Sequence, residues 1–178
     1  MKLLLHICCG PCSLYVIDHL KNNMANVPFD TEITGYYYNP NIHPYDEIIK
    51  RAVNAKVACD YKGIPLITDL TYNIAPWKCF EGYSGERCVM CYKERFEKTA
   101  KYAKENGYTH FTSTLFVSPY QNHEAMKKEA IAAAEKYGVE FLEGSDFTVG
   151  FREGQQEARN LGLYRQKYCG CIRSLKGE

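Results

Sequence analysis

The 178-residue chain lacks any run of about 18 apolar residues, so nothing in it is long and apolar enough for a membrane-spanning helix. It lacks a charge imbalance: 22 Lys and Arg against 21 Asp and Glu leave a formal +1, and bulk charge therefore names no partner. Internal repeats, low-complexity tracts and interdomain linkers are also missing, which excludes solenoids and two-domain arrangements. The opening Lys2-Leu3-Leu4-Leu5-His6-Ile7 is too short and too soon interrupted for a signal peptide. What the chain has in excess is cysteine. Nine of them, an odd number, argue against a fully paired disulfide framework. Clustered thiols without such a framework suit a reducing, cytoplasmic setting, where they serve metals or catalysis more often than structure.

Strand and helix patterns alternate along the chain. Strands are expected over 2–8, 32–39, 64–70, 110–117 and 139–142, and helices over 12–23, 45–62, 86–106 and 121–137. The stretch 71–85 reads as irregular, and the tail from Val149 as helical with breaks at Gly154 and Gly162. Alternation of this kind implies an α/β fold: a single Rossmann-like, doubly wound domain over 1–178, with a mostly parallel sheet and helices on both faces. A basic, helical segment of about 149–178 is expected to pack on it. Ligands of such sheets bind beyond the carboxyl ends of the strands near the topological switch point, where Cys8 and Cys9 would lie.

Seven cysteines fall in three groups: Cys8-Cys9-Gly10-Pro11-Cys12, Cys88-Val89-Met90-Cys91 and Cys169-Gly170-Cys171. At a strand end the backbone can turn and aim Cys8 and Cys9 at one point, while the helix beginning near Cys12 offers free N–H groups that favour thiolate. Cys88 and Cys91, three apart at a helix start, project from one face in the usual half-site for zinc or an iron–sulfur cluster. Cys8, Cys9, Cys88 and Cys91 together make a four-thiolate set, and directly adjacent cysteines favour a [4Fe–4S] cluster over structural zinc. Cys169 and Cys171 can close only a small, strained disulfide, of the labile and redox-active kind; extra metal ligation and an inert tail are the alternatives. Cys59 belongs to a helix core stripe, and Cys79 has no assignment. Cys9-Gly10-Pro11-Cys12 also spells a thioredoxin-type dithiol, and two readings rest on other chemistry: a metal-free dithiol–disulfide oxidoreductase using Cys9 and Cys12, and a zinc-stabilised RNA-binding module. No tryptophan precedes the thioredoxin-type motif, and a third cysteine abuts it.

Further motifs are Tyr38-Asn39-Pro40-Asn41-Ile42-His43-Pro44, Arg87-Cys88-Val89-Met90-Cys91-Tyr92, Ser118-Pro119-Tyr120-Gln121-Asn122 and Tyr168-Cys169-Gly170-Cys171. With the opening Leu5-His6-Ile7-Cys8-Cys9-Gly10-Pro11-Cys12-Ser13, their order over residues 3 to 171 resembles the cobalamin-independent epoxyqueuosine reductases. The resemblance implies reduction of the epoxide of epoxyqueuosine to queuosine at the wobble base of tRNA. It implies a cluster on Cys8, Cys9, Cys88 and Cys91, a redox disulfide of Cys169 and Cys171, and an electron donor. It assigns Cys12 no role. An iron with an open coordination position, on the cluster or as an additional iron ion, would act as Lewis acid toward the epoxide. Candidate acids follow the second and fourth strands: Asp46, Glu47 and His43, then Tyr120 and His123, with Ser113 and Ser118 weaker. Asp46 has the rival role of helix cap. For RNA contact the tail offers Arg152, Arg159, Arg165 and Arg173, along with Lys167 and Lys176, and Tyr164 and Tyr168 interleaved for stacking.

Overall fold

A computed structural model describes residues 1–22, 24 and 26–175, apart from the side chains of 145 and 146; Lys176 lies outside them. Its centre is β1 (Lys2–Ile7), where Leu3, Leu4, Leu5 and Ile7 are completely buried. A run of large aliphatic residues covered on both faces is what an interior parallel strand requires, and each such side chain contributes roughly 1.5–3 kcal/mol of burial. β1 pairs in parallel with β2 (Glu32–Tyr38) on one side and β4 (His110–Ser113) on the other. β3 (Leu66–Asp69) flanks β2, and β5 (Glu140–Phe141) flanks β4, giving the all-parallel order β3-β2-β1-β4-β5.

Two helix layers cover the sheet. On one side α1 (Gly10–Asn22) packs with α2 (Tyr45–Tyr61) and α6 (Phe151–Asn160); on the other α4 (Ser84–Glu105) packs with α5 (His123–Tyr137). The short α3 (Ala75–Lys78) and α7 (Ile172–Leu175) touch each other. The doubly wound α/β expectation holds. The chain runs outward from β1 to β3, then returns to β4 beside β1, so the switch point lies above the carboxyl ends of β1 and β4. Among the described residues no helix is long and apolar enough to cross a membrane.

Three local expectations are corrected. The fourth strand was expected to reach Val117 but ends at Ser113, where the hydroxyl accepts the Leu115 N–H at 3.1 Å and the chain curls into a 3₁₀ turn, Thr114–Val117. Gly154 does not break the tail helix: it sits inside α6, and a Cβ there would lie 3.2 Å from the Pro11 carbonyl oxygen, so the residue allows α6 to approach α1. The irregular stretch before Cys88 contains α3, and α4 begins at Ser84, started by the Glu86 carboxylate accepting the Tyr83 N–H at 3.1 Å.

Candidate metal centre

β1 stops at Ile7 because Cys8 and Cys9 turn away from the ladder into α1. The turn is held on two sides: Asn39 Nδ2 donates to the Ile7 carbonyl at 3.0 Å, and the Cys8 N–H donates to Thr114 Oγ1 at 3.1 Å. Behind it, His6 is fully buried, with Nδ1 2.8 Å from Ser113 Oγ and Nε2 2.9 Å from the Tyr38 carbonyl oxygen. Gly10 is required by space. A Cβ there would lie 2.5 Å from the Asn54 carbonyl oxygen of α2.

The sulfur atoms of Cys8, Cys9 and Cys12 all lie within 4.8 Å of one another, and all three residues are buried. Three thiols this close in a dry site cannot all ionise. The Cys12 and Cys9 thiols, donating to Cys8, hold its pKa well below the ordinary value against the opposing effect of burial, with the Thr114 hydroxyl 3.4 Å from its sulfur assisting. Burial pushes Cys9 up to about 12, and Cys12 also rises, chiefly because its proton is shared with Cys8. Gln166 Nε2 donates to Cys9 Sγ at 3.0 Å, so the tail reaches back over the cluster. Cys9 and Cys12 are both buried, Cys9 almost completely, whereas a thioredoxin-type nucleophile must be reachable by a partner disulfide, so the burial speaks against the dithiol reading.

The other two cysteine groups face the same space. A cavity of about 650 Å³ is lined by Cys8, Cys12, Cys88, Cys91, Cys169 and Cys171, a size typical of ligand sites. Cys88 and Cys91 stand on the first turns of α4, Cys88 exposed and Cys91 half-buried. Burial raises Cys91 to about 11, and Asn41 Nδ2 donates to its sulfur at 3.4 Å. Cys171 pairs with Ile42 in an antiparallel bridge, and the His43 N–H donates to the Gly170 carbonyl at 2.8 Å. Arg51 fixes the preceding carbonyls: Nη1 donates to Cys169 O and Nη2 to Tyr168 O, both at 3.0 Å. Gly170 takes φ +108°, and a Cβ there would lie 2.7 Å from Ile42 Cγ1, so no other residue fits without movement.

The lining is cationic. Arg51, Arg87, Arg95 and Lys167 border the cavity, and among the described residues no carboxylate does. A second hollow of about 480 Å³ lies at the amino ends of β4 and β5, near Thr109, Val139 and Glu140, and holds no cysteine.

The remaining sequence candidates separate clearly. Tyr120 borders the cavity and is 82% exposed, its ring edge-on to Phe151 at 5.8 Å. Ser118 also lines it. Asp46 is exposed in the first turn of α2 and is not part of the lining, and Pro44, with no side-chain bond, occupies the cap position. His43 Nδ1 is 2.6 Å from the Tyr72 hydroxyl, His123 Nε2 is 2.8 Å from the Ser118 carbonyl, and Ser113 serves His6. Glu47 is buried and ion-paired to Arg51 at 2.8 Å. Of the tail arginines, Arg152, Arg159 and Arg165 are exposed. Arg173 instead donates to the carbonyls of Lys78 at 3.3 Å and Phe80 at 3.2 Å, stapling α7 to the loop after α3. Tyr164 and Tyr168 are tied at their hydroxyls, which donate to Glu47 and to the His43 carbonyl, and each ring carries a cation on one face, Lys50 over Tyr164 and Arg51 over Tyr168. Cys59 is in the core as expected, and Cys79 is exposed.

Sequence reasoning missed Arg95, Asn41, Thr114 and Gln166. Arg95 had a signal, since it follows Cys91 by four residues and Cys88 by seven, on one face of α4. The other three are brought in by long-range packing.

The epoxyqueuosine reductase QueH family model matches residues 3–177. The chain belongs to that family. Its relatives include the epoxyqueuosine reductase QueH of Dehalococcoides mccartyi, 35% identical over 97% of this chain and 92% of that protein. The enzymes of the same name from Haemophilus influenzae (37% identical, 98% of this chain and 72% of that one) and Thermotoga maritima (35% identical, 97% and 89%) are similar. Among solved structures the likeness is distant: the U34-tRNA thiolase NcsA from Methanococcus maripaludis with its [4Fe–4S] cluster aligns with a TM-score of 0.45 at 14% identity, over 90% of this chain and 65% of that one. That likeness is too weak to argue from. The buried thiols of Cys8, Cys9 and Cys12 are a donor set consistent with an iron–sulfur centre in this family.

Proposed function

We propose that this protein reduces the epoxide of epoxyqueuosine in tRNA to queuosine, in a reducing, cytoplasmic compartment, with an iron–sulfur centre as its redox group. The observation that carries the reading is the meeting of all three cysteine groups at one cationic cavity above the switch point. Cys8, Cys9, Cys88 and Cys91 are the proposed ligands of a [4Fe–4S] cluster, and Cys12, packed against Cys8 and Cys9, is the natural site for contact with an additional iron ion. Such a centre, when bound, supplies electrons one at a time and Lewis acidity toward oxygen.

The chain's own residues account for the rest. Removing the epoxide oxygen as water consumes two electrons and two protons. Oxidation of the Cys169 and Cys171 dithiol to a disulfide releases two of each, so that pair matches the stoichiometry, and an external donor must then reduce it again. Arg51 and Gly170 hold the pair at the cavity wall. Tyr120, exposed at the rim with its hydroxyl in reach of solvent, is the proposed proton donor to the departing oxygen. The proposed contacts to the phosphates around an anticodon loop are Lys167 and Arg87, which line the cavity, and the exposed Arg152, Arg159 and Arg165 outside it.

The test is turnover. Anaerobically reconstituted protein, given a reductant and tRNA carrying epoxyqueuosine, should yield a nucleoside lighter by one oxygen on mass analysis, and tRNA from a strain lacking the protein should accumulate the epoxide. Reconstituted protein that holds iron yet leaves the epoxide untouched overturns the activity.

A further inference from the structure

Two arginines on the cavity wall are almost completely buried, Arg51 at 2% and Arg95 at 4% exposure. They are handled differently. Arg51 has a carboxylate, Glu47, at 2.8 Å and two carbonyl acceptors. Arg95 differs: among the described residues no carboxylate lies within ion-pair distance of it, its Nε has no hydrogen-bond partner, and its side chain donates to the neutral Asn41 Oδ1 at 2.9 Å. The nearest acid in sequence, Glu94, takes the Tyr38 hydroxyl instead. A guanidinium cannot shed its proton, so a buried one without a counter-ion is strongly unfavourable unless an anion joins it.

The direction of the missing anion is marked by Asn41. Its side chain accepts from Arg95 through oxygen and donates to Cys91 Sγ through nitrogen at 3.4 Å, so the amide links the cation directly to a thiol of the cavity. Four thiolates outweigh the small net positive charge of a cluster's iron–sulfide core and leave the loaded site anionic, more so after it accepts an electron. We propose that Arg95 is the buried counter-cation of the thiolate-bound centre, a positioning and potential-setting residue that stabilises the reduced state over the oxidised one and retains the centre in the protein. The inference rests on the proposed iron–sulfur reading and adds to it the residue that tunes the group. A fixed charge in a poorly screened interior acts most on the state with more opposite charge, so removing it lowers the midpoint potential.

The experiment compares wild type, Arg95→Gln, Arg95→Lys and the surface control Lys101→Gln after anaerobic reconstitution, by iron and sulfide content and by potentiometric titration. Arg95→Gln should shift the oxidised-to-reduced ratio at fixed potential at least about tenfold toward oxidised, ~59 mV for a one-electron couple. Arg95→Lys should recover most of that shift, and Lys101→Gln should show none. Loss of iron from the Gln variant but not the Lys variant supports the same role; equal behaviour of the two variants overturns it. Wild type that takes up no iron overturns the iron–sulfur reading itself, whereas loaded wild type with an unshifted Arg95→Gln overturns only this inference. Iron-free protein separates a structural role. There Arg95→Gln should leave the unfolding equilibrium unchanged or favour the fold, because it deletes an uncompensated charge. More than tenfold destabilisation of the iron-free fold would assign Arg95 to structure instead.

Discussion

Replacing Glu47 with glutamine separates the tail clamp from the rest of the fold. Glu47 is 8% exposed and accepts from Arg51 Nε at 2.8 Å and from the Tyr164 hydroxyl at 3.0 Å. Arg51 in turn holds the carbonyls of Tyr168 and Cys169, so one carboxylate anchors the whole approach to the dithiol. The substitution keeps size and shape but leaves the guanidinium buried without its charge partner, and breaking a buried pair from one side costs about 3–5 kcal/mol. At about 2–4 °C per kcal/mol for a chain of this size, the melting temperature should fall by roughly 6–20 °C. Arg51→Met should be comparably damaging, since it leaves the buried Glu47 carboxylate without its charge partner, with only the Tyr164 hydroxyl still donating to it, and releases the carbonyls of Tyr168 and Cys169. The double variant should be less unstable than the two single losses added together, because both act on one contact. Denaturant unfolding of the iron-free proteins measures these values, and alkylation of the buried Cys171 reports whether the tail has lifted. A loss below about 1 kcal/mol for Glu47→Gln, the scale of a surface ion pair, would refute the clamp.

Gly10→Ala should destabilise by about 1–3 kcal/mol in thermal unfolding, because the new methyl meets rigid α2 backbone and α1 must shift; a neutral result would mean the α1–α2 contact is loose. Thiol labelling of the native iron-free protein should modify the exposed Cys79 quickly, while Cys59, completely buried and pushed up to about 12 by burial, reacts only on unfolding. Equal rates at the two would contradict the core placement. Burial opposes ionisation of Asp69, but the Thr71 hydroxyl and N–H, then Lys98 and Tyr36, outweigh it and hold the carboxyl below its ordinary 3.8. Its folded value is depressed, so its stabilisation is complete above 3.8 and fades as pH falls through the lower folded value. Acid unfolding of Asp69→Asn should lack that component, and identical acid profiles would contradict it.

The legible part of the fold was what local pattern controls. Leu3, Leu4 and Leu5 announce an interior strand, and alternation with helices leads to the parallel sheet and its switch point. The spacings of the first two cysteine groups suggest a shared four-thiolate set of Cys8, Cys9, Cys88 and Cys91; Cys8, Cys88 and Cys91 line one cavity together with Cys12, Cys169 and Cys171, while Cys9 is not part of that lining. What stayed hidden depends on distant partners. The apolar run 114–117 continues the strand pattern, yet Ser113 and Thr114 turn their hydroxyls to His6, Leu115 and Cys8, and the ladder ends. Arg173 carries the same charge as its exposed neighbours, and only the fold shows that carbonyls of the segment after α3 engage it. Cys12 could not be assigned from spacing, because its partners depend on how sharply the chain turns after β1.

The most direct test of the central claim is iron and sulfide per chain, with the accompanying EPR spectrum, after anaerobic reconstitution of wild type and of Cys8→Ala, Cys9→Ala, Cys88→Ala and Cys91→Ala. The account predicts a four-iron centre in the wild type and its loss or degradation in every one of the four variants. A full, spectroscopically unchanged complement of iron in Cys88→Ala and Cys91→Ala would contradict it.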